Sequence, residues 1–319
     1  MDAFDGVGDL KRGIIRCVGR ATERFSEDAL RMLRAVRFSA QLGFVLEEET
    51  RAAIVELAPN IAKVSAERIQ MELVKLLTSN HPEEIRTAYE TGLTAVFLPE
   101  FDRMMETAQN NPHHCYTVGE HTLMALQGVE ADKVLRLTML LHDVAKPVCH
   151  TMDENGIDHF YGHPQKGSEM ARMILRRLKF DNDTTDRVSA LVRWHDDNPE
   201  LSPRSVRRAI SRIGLERYPA LFAVKRADTL AQSTYCREEK LTYLDAYEAL
   251  YHEVMEKQQC LTIKQLAVTG SDLIEAGMQP GKEIGSVLKQ LLELVLEAPE
   301  LNTKEKLLKQ VHNLRTPLI

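Results

Sequence analysis

The segment LLHDVAKP at residues 140–147 places a histidine beside an aspartate in an apolar run. Both His142 and Asp143 lose hydration when buried, so neither is a good core residue unless it is paired. A divalent metal would satisfy both at once, and further ligand types stand elsewhere in the chain. Imidazole and carboxylate ligands suit Mn²⁺, Fe²⁺, Ni²⁺, Co²⁺, Zn²⁺ or, less readily, Mg²⁺. We predict a metal centre whose ligands come from His121, His142, Asp143, His163, His195 and Asp228.

Such a centre can activate water and hold a phosphoryl oxygen. Lys146 follows Asp143 by one helical turn and would hold the phosphate as a point charge, so His142, Asp143 and Lys146 form the predicted catalytic group. Neighbours on a helix point about 100° apart, so His142 and Asp143 share a metal only near a helix end or with a skewed approach. The alternative for each histidine is a surface position or a hydrogen-bonded core position.

A second group of residues could read a nucleotide base. Asp28 and Arg31 are three residues apart and would lie on one face of a helix over residues 26–43, with Ser26 as its N-cap. A carboxylate can accept from the exocyclic amine of cytosine or adenine while a guanidinium donates to the ring nitrogen beside it. Uracil and guanine invert that pattern. The alternative is a solvated ion pair.

The elements that position these residues are predicted to be almost entirely helical, because apolar residues recur at helical spacing. Only residues 13–18 and 159–161 show weak strand alternation. We therefore predict an all-α protein with an elongated neck. The expected helices cover residues 26–43, 48–58, 65–78, 82–91, 117–129, 132–146, 165–179, 183–196, 203–213, 218–233, 238–257, 271–277, 283–297 and 303–314.

The composition narrows the class of protein to which this sequence can belong. The chain has 319 residues, a net charge of −6 and five scattered cysteines without a CxxC pair, which favours a reduced, cytoplasmic compartment. No apolar run approaches the length of a membrane span. Overall charge does not favour nucleic-acid binding, so any such surface must be a local basic patch. The Asp181-Asn182-Asp183 triplet has the spacing of a metal pair, but we interpret it as the first turn of a helix.

The order His121, His142-Asp143, Asp228 resembles the HD-domain metal-dependent phosphohydrolase superfamily, over about residues 113–235. The resemblance implies a helical bundle that hydrolyses phosphomonoesters or phosphodiesters of nucleotides. It makes those four residues the core metal ligands. His163 and His195 fall where some members add a further histidine pair.

Nearly the whole chain resembles the class II CCA-adding enzymes, the tRNA nucleotidyltransferases. Their neck carries an EDxxR motif, matched by Glu27-Asp28-Ala29-Leu30-Arg31, and residues 64–73, 268–285 and 299–302 match further family segments. The resemblance implies maturation of tRNA 3′ ends, with CTP, ATP and tRNA as partners. It also implies a nucleotide-binding group of Glu27, Asp28, Arg31 and Arg34.

The family places a β-rich catalytic head before a DPFGG segment, which this sequence approximates at Asp2-Ala3-Phe4-Asp5-Gly6 with alanine for proline and aspartate for a glycine. We therefore expect a headless portion of such an enzyme, without unaided nucleotidyl transfer. The expected domains are a neck at 1–110, an HD phosphohydrolase domain at 111–235, and a tRNA-binding body and tail at 236–319. Oligomeric state is left open.

Basic residues could contact tRNA phosphates. Arg204, Arg207, Arg208 and Arg212 share one face of a predicted helix, and Lys282 lies in a glycine-rich turn that opens another. A salt-bridged face and a plain interhelical turn are the alternatives. Two further functions stay open: a free-standing HD phosphohydrolase of nucleotides, and a non-catalytic RNA-binding module with a vestigial HD site.

Overall fold

The computed structural model describes residues 4–110, 116–257 and 259–315. The Asp2-Ala3 start of the family segment and the expected break at residues 111–112 lie outside the described residues. The described part is predominantly helical, which confirms the predicted all-α class. Every described helix is too short or too polar to span a bilayer.

Nineteen α-helices follow one another along the described residues. They are α1 (Gly6–Arg12), α2 (Ala21–Glu27), α3 (Leu30–Leu42), α4 (Glu48–Leu57), α5 (Ala66–Leu77), α6 (Ile85–Glu90), α7 (Thr94–Phe97), α8 (Pro99–Glu106), α9 (Val118–Gln127), α10 (Lys133–Leu141), α11 (Lys146–Cys149), α12 (His163–Arg177), α13 (Asn182–Trp194), α14 (Pro203–Ile213), α15 (Tyr218–Ala231), α16 (Arg237–Glu256), α17 (Gly270–Glu275), α18 (Lys282–Glu297) and α19 (Lys304–Arg315). Short 3-10 turns connect several of them.

Four two-residue strands accompany these helices within the described ranges. Strand β1 (Ile14–Ile15) pairs in parallel with β2 (Val45–Leu46), and Ile14 is opposite Val45. Strand β3 (Thr151–Met152) pairs antiparallel with β4 (Asp158–His159), and Thr151 is opposite His159. The weak strand signal at residues 13–18 therefore contains β1, whereas the signal at residues 159–161 overlaps β4 at His159 alone.

The chain divides into two compact units. The first joins the residues up to 196 with residues 219–241, and the second joins residues 197–218 with those after 241. In the first unit α12 packs on α13, α3 on α5, and α8 on α9. In the second unit α14 and α19 pack on α18. The predicted division into three domains stays a prediction.

Side-chain caps fix where several helices begin. Thr117 accepts from the Glu120 amide at the start of α9, and Asp132 accepts from the amides of Val134 and Leu135 at the start of α10. Asp181 accepts from the Thr184 amide at the start of α13, so the Asp181-Asn182-Asp183 triplet is the helix N-terminal turn that we predicted. These caps set the position of the helices that carry the predicted ligands.

The predicted helix over residues 26–43 is wrong at its start. Helix α2 ends at Glu27, Asp28 is extended with φ −148° and ψ 103°, and α3 begins at Leu30. Ser26 is not an N-cap, since its hydroxyl donates to the Thr22 carbonyl within α2. The break occurs because the Asp28 carboxylate accepts from the Leu30 amide and so competes with helix continuation.

The predicted helix over residues 132–146 also divides. Helix α10 ends at Leu141, residues 142–145 form turns, and α11 begins at Lys146. His142 and Asp143 therefore lie at a helix end, as sharing one metal requires. Pro147 at the start of α11 cannot donate a backbone hydrogen bond, which fits the second position of a new helix.

Candidate metal centre and nucleotide site

Four of the predicted ligands meet at one point of the first unit. His121 comes from α9, Asp228 from α15, and the adjacent pair His142 and Asp143 from the turn after α10. His121, His142 and Asp143 are no more than 1% exposed. Such polar residues are buried only where they find partners.

The ligand atoms of these four residues lie at short mutual distances. His121 Nε2 is 2.8 Å from Asp228 Oδ1 and 3.2 Å from His142 Nε2. His142 Nε2 is 3.3 Å from Asp143 Oδ2 and 3.6 Å from Asp228 Oδ1. Metal–ligand bonds of about 2.0–2.2 Å bring ligands to such separations, so His121, His142 and Asp143 fit one transition-metal ion, and Asp228 Oδ1 lies beside the two histidines.

A second group shares Asp143. The other carboxylate oxygen, Asp143 Oδ1, is 3.4 Å from His163 Nε2 and 3.7 Å from His195 Nε2. The two histidine Nε2 atoms are 3.3 Å apart. Asp143 therefore presents one oxygen to each group, and all six predicted ligands come together.

Backbone carbonyls orient three of the rings. The Nδ1 atoms of His142, His163 and His195 lie 2.7–2.9 Å from the carbonyl oxygens of Met139, Phe160 and Val192, each three residues earlier. Because a carbonyl only accepts, each Nδ1 carries the hydrogen. The Nε2 atom of each ring then faces the cluster as a ligand atom, which is the tautomer that metal ligands use.

The charges in the cluster are strongly coupled. Burial alone would lower the pKa of His142, but the carboxylates of Asp143 and Asp228 raise it to about 10. Burial alone would raise the pKa of Asp143, but the charges of His142 and Lys146 hold it well below its usual range. Burial and the nearby His142 lower the pKa of His195 to about 3. The carboxylates of Asp143 and Asp228 thus attract positive charge into the site.

Lys146 lies beside the predicted metal ligands. Its Nζ is 2.8 Å from Asp143 Oδ2 and donates to Gln109 Oε1 at 2.9 Å. The residue is buried, with 6% of its surface exposed. Gln109 was not predicted, because nothing in its sequence neighbourhood marks a residue 37 positions away as a partner.

A series of hydrogen bonds leads to Asp228 from the side chains of Gln232 and Lys240. Gln232 donates to Asp228 Oδ2 at 3.2 Å, and Lys240 Nζ donates to Gln232 Oε1 at 2.6 Å. Gln232 lies one helical turn after Asp228, and that spacing is the signal that could have identified it. Sequence reasoning missed both Gln232 and Lys240.

A cavity of about 570 Å³ opens onto the cluster, within the range of ~300–1,000 Å³ typical of small-molecule sites. Asp143, His163, His195 and Asp228 line it together with both lysines, Lys146 and Lys240. The cavity therefore combines possible metal ligands with cations that suit a phosphate group.

The structure separates the predicted base-reading residues. Asp28 Oδ2 accepts from Arg68 at 2.7 Å, whereas Arg31 donates to Glu27 at 2.6 Å and to the Arg24 carbonyl. Asp28 and Arg31 do not share one helix face, because the chain leaves the helical conformation at Asp28. This corrects the predicted geometry of the motif.

A smaller cavity of about 250 Å³ adjoins this motif. Arg31, Arg34 and Phe38 line it from α3, and Cys17 and Thr50 line it from neighbouring segments. Two phenylalanines and three arginines thus line one space next to the EDxxR segment, since Phe25 and Arg16 line it as well. The roles predicted for Glu27, Asp28, Arg31 and Arg34 stay predictions.

The predicted phosphate-binding arginines have partners inside the second unit. Arg204 and Arg208 pair with Glu297 at 2.6 and 3.1 Å, and Arg212 pairs with Asp197 at 2.7 Å. The structure contradicts the predicted phosphate contact of Arg207. This residue is 5% exposed and donates to the carbonyls of Leu296 and Glu297 at the end of α18. A buried guanidinium cannot follow a phosphate backbone. Lys282 begins α18, and its predicted RNA contact stays a prediction.

Two protein-family models match the chain. The model described as "Probable RNA and SrmB- binding site of polymerase A" matches residues 43–105. The model of tRNA nucleotidyltransferase domain 2 matches residues 163–311.

Curated relatives are similar to this chain over a longer stretch than the family models. The CC-adding tRNA nucleotidyltransferase of Thermus thermophilus is 34% identical over 314 residues, covering 93% of this chain and 69% of that protein. The A-adding tRNA nucleotidyltransferase of Deinococcus radiodurans is 32% identical, covering 92% of this chain and 69% of that protein. This chain thus spans about two thirds of the length of these relatives.

A solved structure agrees. The Bacillus stearothermophilus CCA-adding enzyme, crystallised with CTP, superposes with a TM-score of 0.72 at 26% identity, covering 99% of this chain and 69% of that one. Sequence and structure agree over almost the entire chain. On these similarities the chain belongs to the class II CCA-adding family of tRNA nucleotidyltransferases.

Proposed function

We propose that the first unit hydrolyses phosphoesters with divalent metal ions held at two positions. His121, His142, Asp143 and Asp228 would hold one ion, and Asp143, His163 and His195 would contribute to the other. The observation that carries this proposal is the facing pair of Nε2 atoms on His163 and His195, whose Nδ1 atoms are both committed to carbonyls. Bound there, the metal would activate water and polarise the phosphoryl group.

Side chains of the protein would position the metal ligands and bind the substrate. Asp143 bridges the two groups, and Gln232 orients Asp228 from behind. Lys146 and Lys240 line the cavity and would bind phosphoryl oxygens as fixed cations. Because Lys146 is buried between Asp143 and Gln109, its ammonium group is held in place before substrate binds.

The test replaces the bridging carboxylate. With Mn²⁺ or Ni²⁺ present, the wild-type chain should hydrolyse a chromogenic phosphoester, and Asp143→Asn should reduce this to background while helical circular dichroism is retained. Asp183→Asn is the matched control, since that side chain is 79% exposed on α13. Equal hydrolysis by Asp143→Asn and wild type would refute the proposal.

We further propose that the neck recognises cytosine and adenine nucleotides and contributes to maturation of tRNA 3′ ends. Support comes from the EDxxR match, from the cavity lined by Arg31, Arg34 and Phe38, and from the CTP complex of the Bacillus stearothermophilus enzyme. For Asp28 and Arg31 to contact one base together, Asp28 must release Arg68 and Arg31 must release Glu27. These ion pairs are partly exposed, so breaking them costs little.

Equilibrium binding of the four nucleoside triphosphates tests this second proposal. CTP and ATP should bind more tightly than UTP and GTP, and Arg31→Ala should reduce that preference by about 5- to 100-fold, since one good bidentate contact discriminates by ~1–3 kcal/mol. Arg20→Ala is a matched control, because Arg20 is exposed and pairs only with Glu23 among the described contacts. An unchanged preference in Arg31→Ala would contradict base reading by this residue.

A further inference from the structure

A hairpin forms one wall of the cavity over the metal ligands. It contains β3 and β4, and residues 157–164 line the cavity. Asp153 organises its turn by accepting from the amides of Asn155 and Ile157 at 2.9 and 3.0 Å. The turn is therefore held by its own hydrogen bonds.

A buried carboxylate anchors the same hairpin. Asp158 is 5% exposed and accepts from the Asn110 amide and from His150 Nε2, both at 2.7 Å. The Asp158 amide in turn donates to the Asn110 carbonyl at 3.2 Å. This reciprocal pairing fixes strand β4, and hence the wall, relative to the segment that also carries Gln109.

Two aromatic rings stand on this wall. His159 and Tyr161 are stacked with ring centroids 5.2 Å apart and planes inclined by 9°. The His159 ring is itself held, since its Nε2 lies 2.9 Å from Asp153 Oδ2. Tyr161 is 77% exposed, so its ring is backed by His159 and retains open surface. Both residues line the cavity.

This arrangement fits a ligand with a phosphate at one end and a flat aromatic ring at the other. Asp143, His163, His195 and the two lysines line the same cavity and suit a phosphate group. A ring of fixed orientation loses little conformational entropy when it stacks on a second ring. A phosphoester without an aromatic group would leave Tyr161 uncontacted.

We propose that Tyr161 stacks on the base of a nucleotide whose phosphate lies at the metal ligands, and that His159 positions Tyr161 for this contact. The inference rests on the proposed phosphohydrolase site and names the residue that would contact the base of its nucleotide substrate. Stacking accepts any base, because every base has a π face. The site would thus select for the presence of a base and not for its identity.

The experiment measures binding separately from hydrolysis. Equilibrium dialysis of the Mn²⁺-loaded chain is carried out with AMP and, in parallel, with glycerol phosphate. Tyr161→Ala should weaken AMP binding by about 5- to 100-fold, the range expected for base–aromatic stacking, and leave glycerol phosphate binding unchanged. Tyr161→Phe should retain AMP affinity because it retains the ring. Met173→Ala is the matched control, since Met173 is 59% exposed on α12 and lies outside the cavity lining.

The two proposals can fail separately. Equal AMP affinity in wild type and Tyr161→Ala, or an equal loss for AMP and glycerol phosphate, would overturn the stacking role. Failure of wild type to bind AMP would also overturn it. Tyr161-dependent AMP binding without hydrolysis would instead refute the phosphohydrolase function and support the nucleotide site.

Discussion

The Nε2 atoms of His163 and His195 lie 3.3 Å apart, while the Nδ1 atom of each ring contacts a backbone carbonyl. If both rings are neutral, the two Nε2 lone pairs face each other without a proton between them. Such an arrangement is unfavourable unless a cation lies near both atoms. Asp143 Oδ1 lies on the same side, 3.4 Å from His163 Nε2. The two Nε2 atoms and Asp143 Oδ1 thus lie within 3.7 Å of one another, as the proposed metal site requires.

The first prediction concerns metal stoichiometry. The wild-type chain, loaded with Mn²⁺ and desalted, should retain two ions per chain, and His163→Ala should retain one. Asp143→Ala should lose both, because it removes a ligand from each group and leaves the remaining histidines without a carboxylate. Elemental analysis by mass spectrometry measures the content directly.

A histidine outside the cluster provides the control for stoichiometry. His81 is half-exposed and lies 3.3 Å from Glu83, so His81→Ala should retain two ions. Loss of both ions from His163→Ala would show that the groups do not bind metal separately, and full retention would exclude His163 as a ligand.

The second prediction concerns Lys146. Lys146→Met should raise KM for a phosphoester by about 10- to 100-fold, because a hydrogen bond to a charged group contributes roughly 1.5–3 kcal/mol. Lys166→Met is the control, since Lys166 is exposed and pairs with Glu169. Steady-state kinetics distinguish the result: an unchanged KM with a lower kcat would assign Lys146 a role other than substrate binding.

How much of this site the sequence predicts depends on how far apart in the sequence the interacting residues lie. His142 and Asp143 are adjacent in an apolar run, so their burial and shared chemistry were readable from local sequence. Gln109 and Lys240 contact the site only through the tertiary fold, and an amide or a lysine carries no specific sequence signal. The break at Asp28 was missed because a capping aspartate and an interior aspartate look alike within an otherwise helical pattern.

The third prediction follows from that break. Asp28→Ala should lower the free energy of unfolding by about 1 kcal/mol, because it removes the acceptor for the Leu30 amide at the start of α3. Asp28→Asn should lower the free energy of unfolding by less, since the asparagine side-chain oxygen can still accept the hydrogen bond from the Leu30 amide. Urea denaturation followed by circular dichroism measures both. Glu27→Gln is the control, because its pairs with Arg24 and Arg31 are exposed. Equal losses of stability for Asp28→Ala and Glu27→Gln would contradict a stabilising role for the hydrogen bond between Asp28 and the Leu30 amide.

The fourth prediction separates structure from RNA binding at α14. Arg207→Met should lower the free energy of unfolding by about 2–4 kcal/mol, because it leaves the buried carbonyl of Leu296 and the part-buried carbonyl of Glu297 without their donor. Arg204→Met should cost about 0–1 kcal/mol, since its pair with Glu297 is exposed. Both are measured by urea denaturation. A stable Arg207→Met chain with reduced tRNA affinity would restore the phosphate-binding role that burial argues against.

The last prediction is a pH dependence at α13, the helix that ends beside His195. The amide and hydroxyl of Thr184 donate to Asp181 and lower its pKa from 3.8 to about 2. A lowered pKa in the folded state means that the ionised cap stabilises the fold above about pH 4, and that this contribution is lost as the pH falls from 4 to 2. Asp181→Ala should therefore lower the free energy of unfolding by about 1 kcal/mol at pH 7. The difference in the free energy of unfolding between wild type and Asp181→Ala should become smaller below pH 4.

Asp181→Asn is the matched control, because the asparagine side chain can cap the helix without titrating. Its stability advantage over Asp181→Ala should therefore not change with pH. Urea denaturation at pH 7, 4 and 2.5 measures all three chains, and a wild-type advantage over Asp181→Ala that stays constant across this range would rule out the ionised cap.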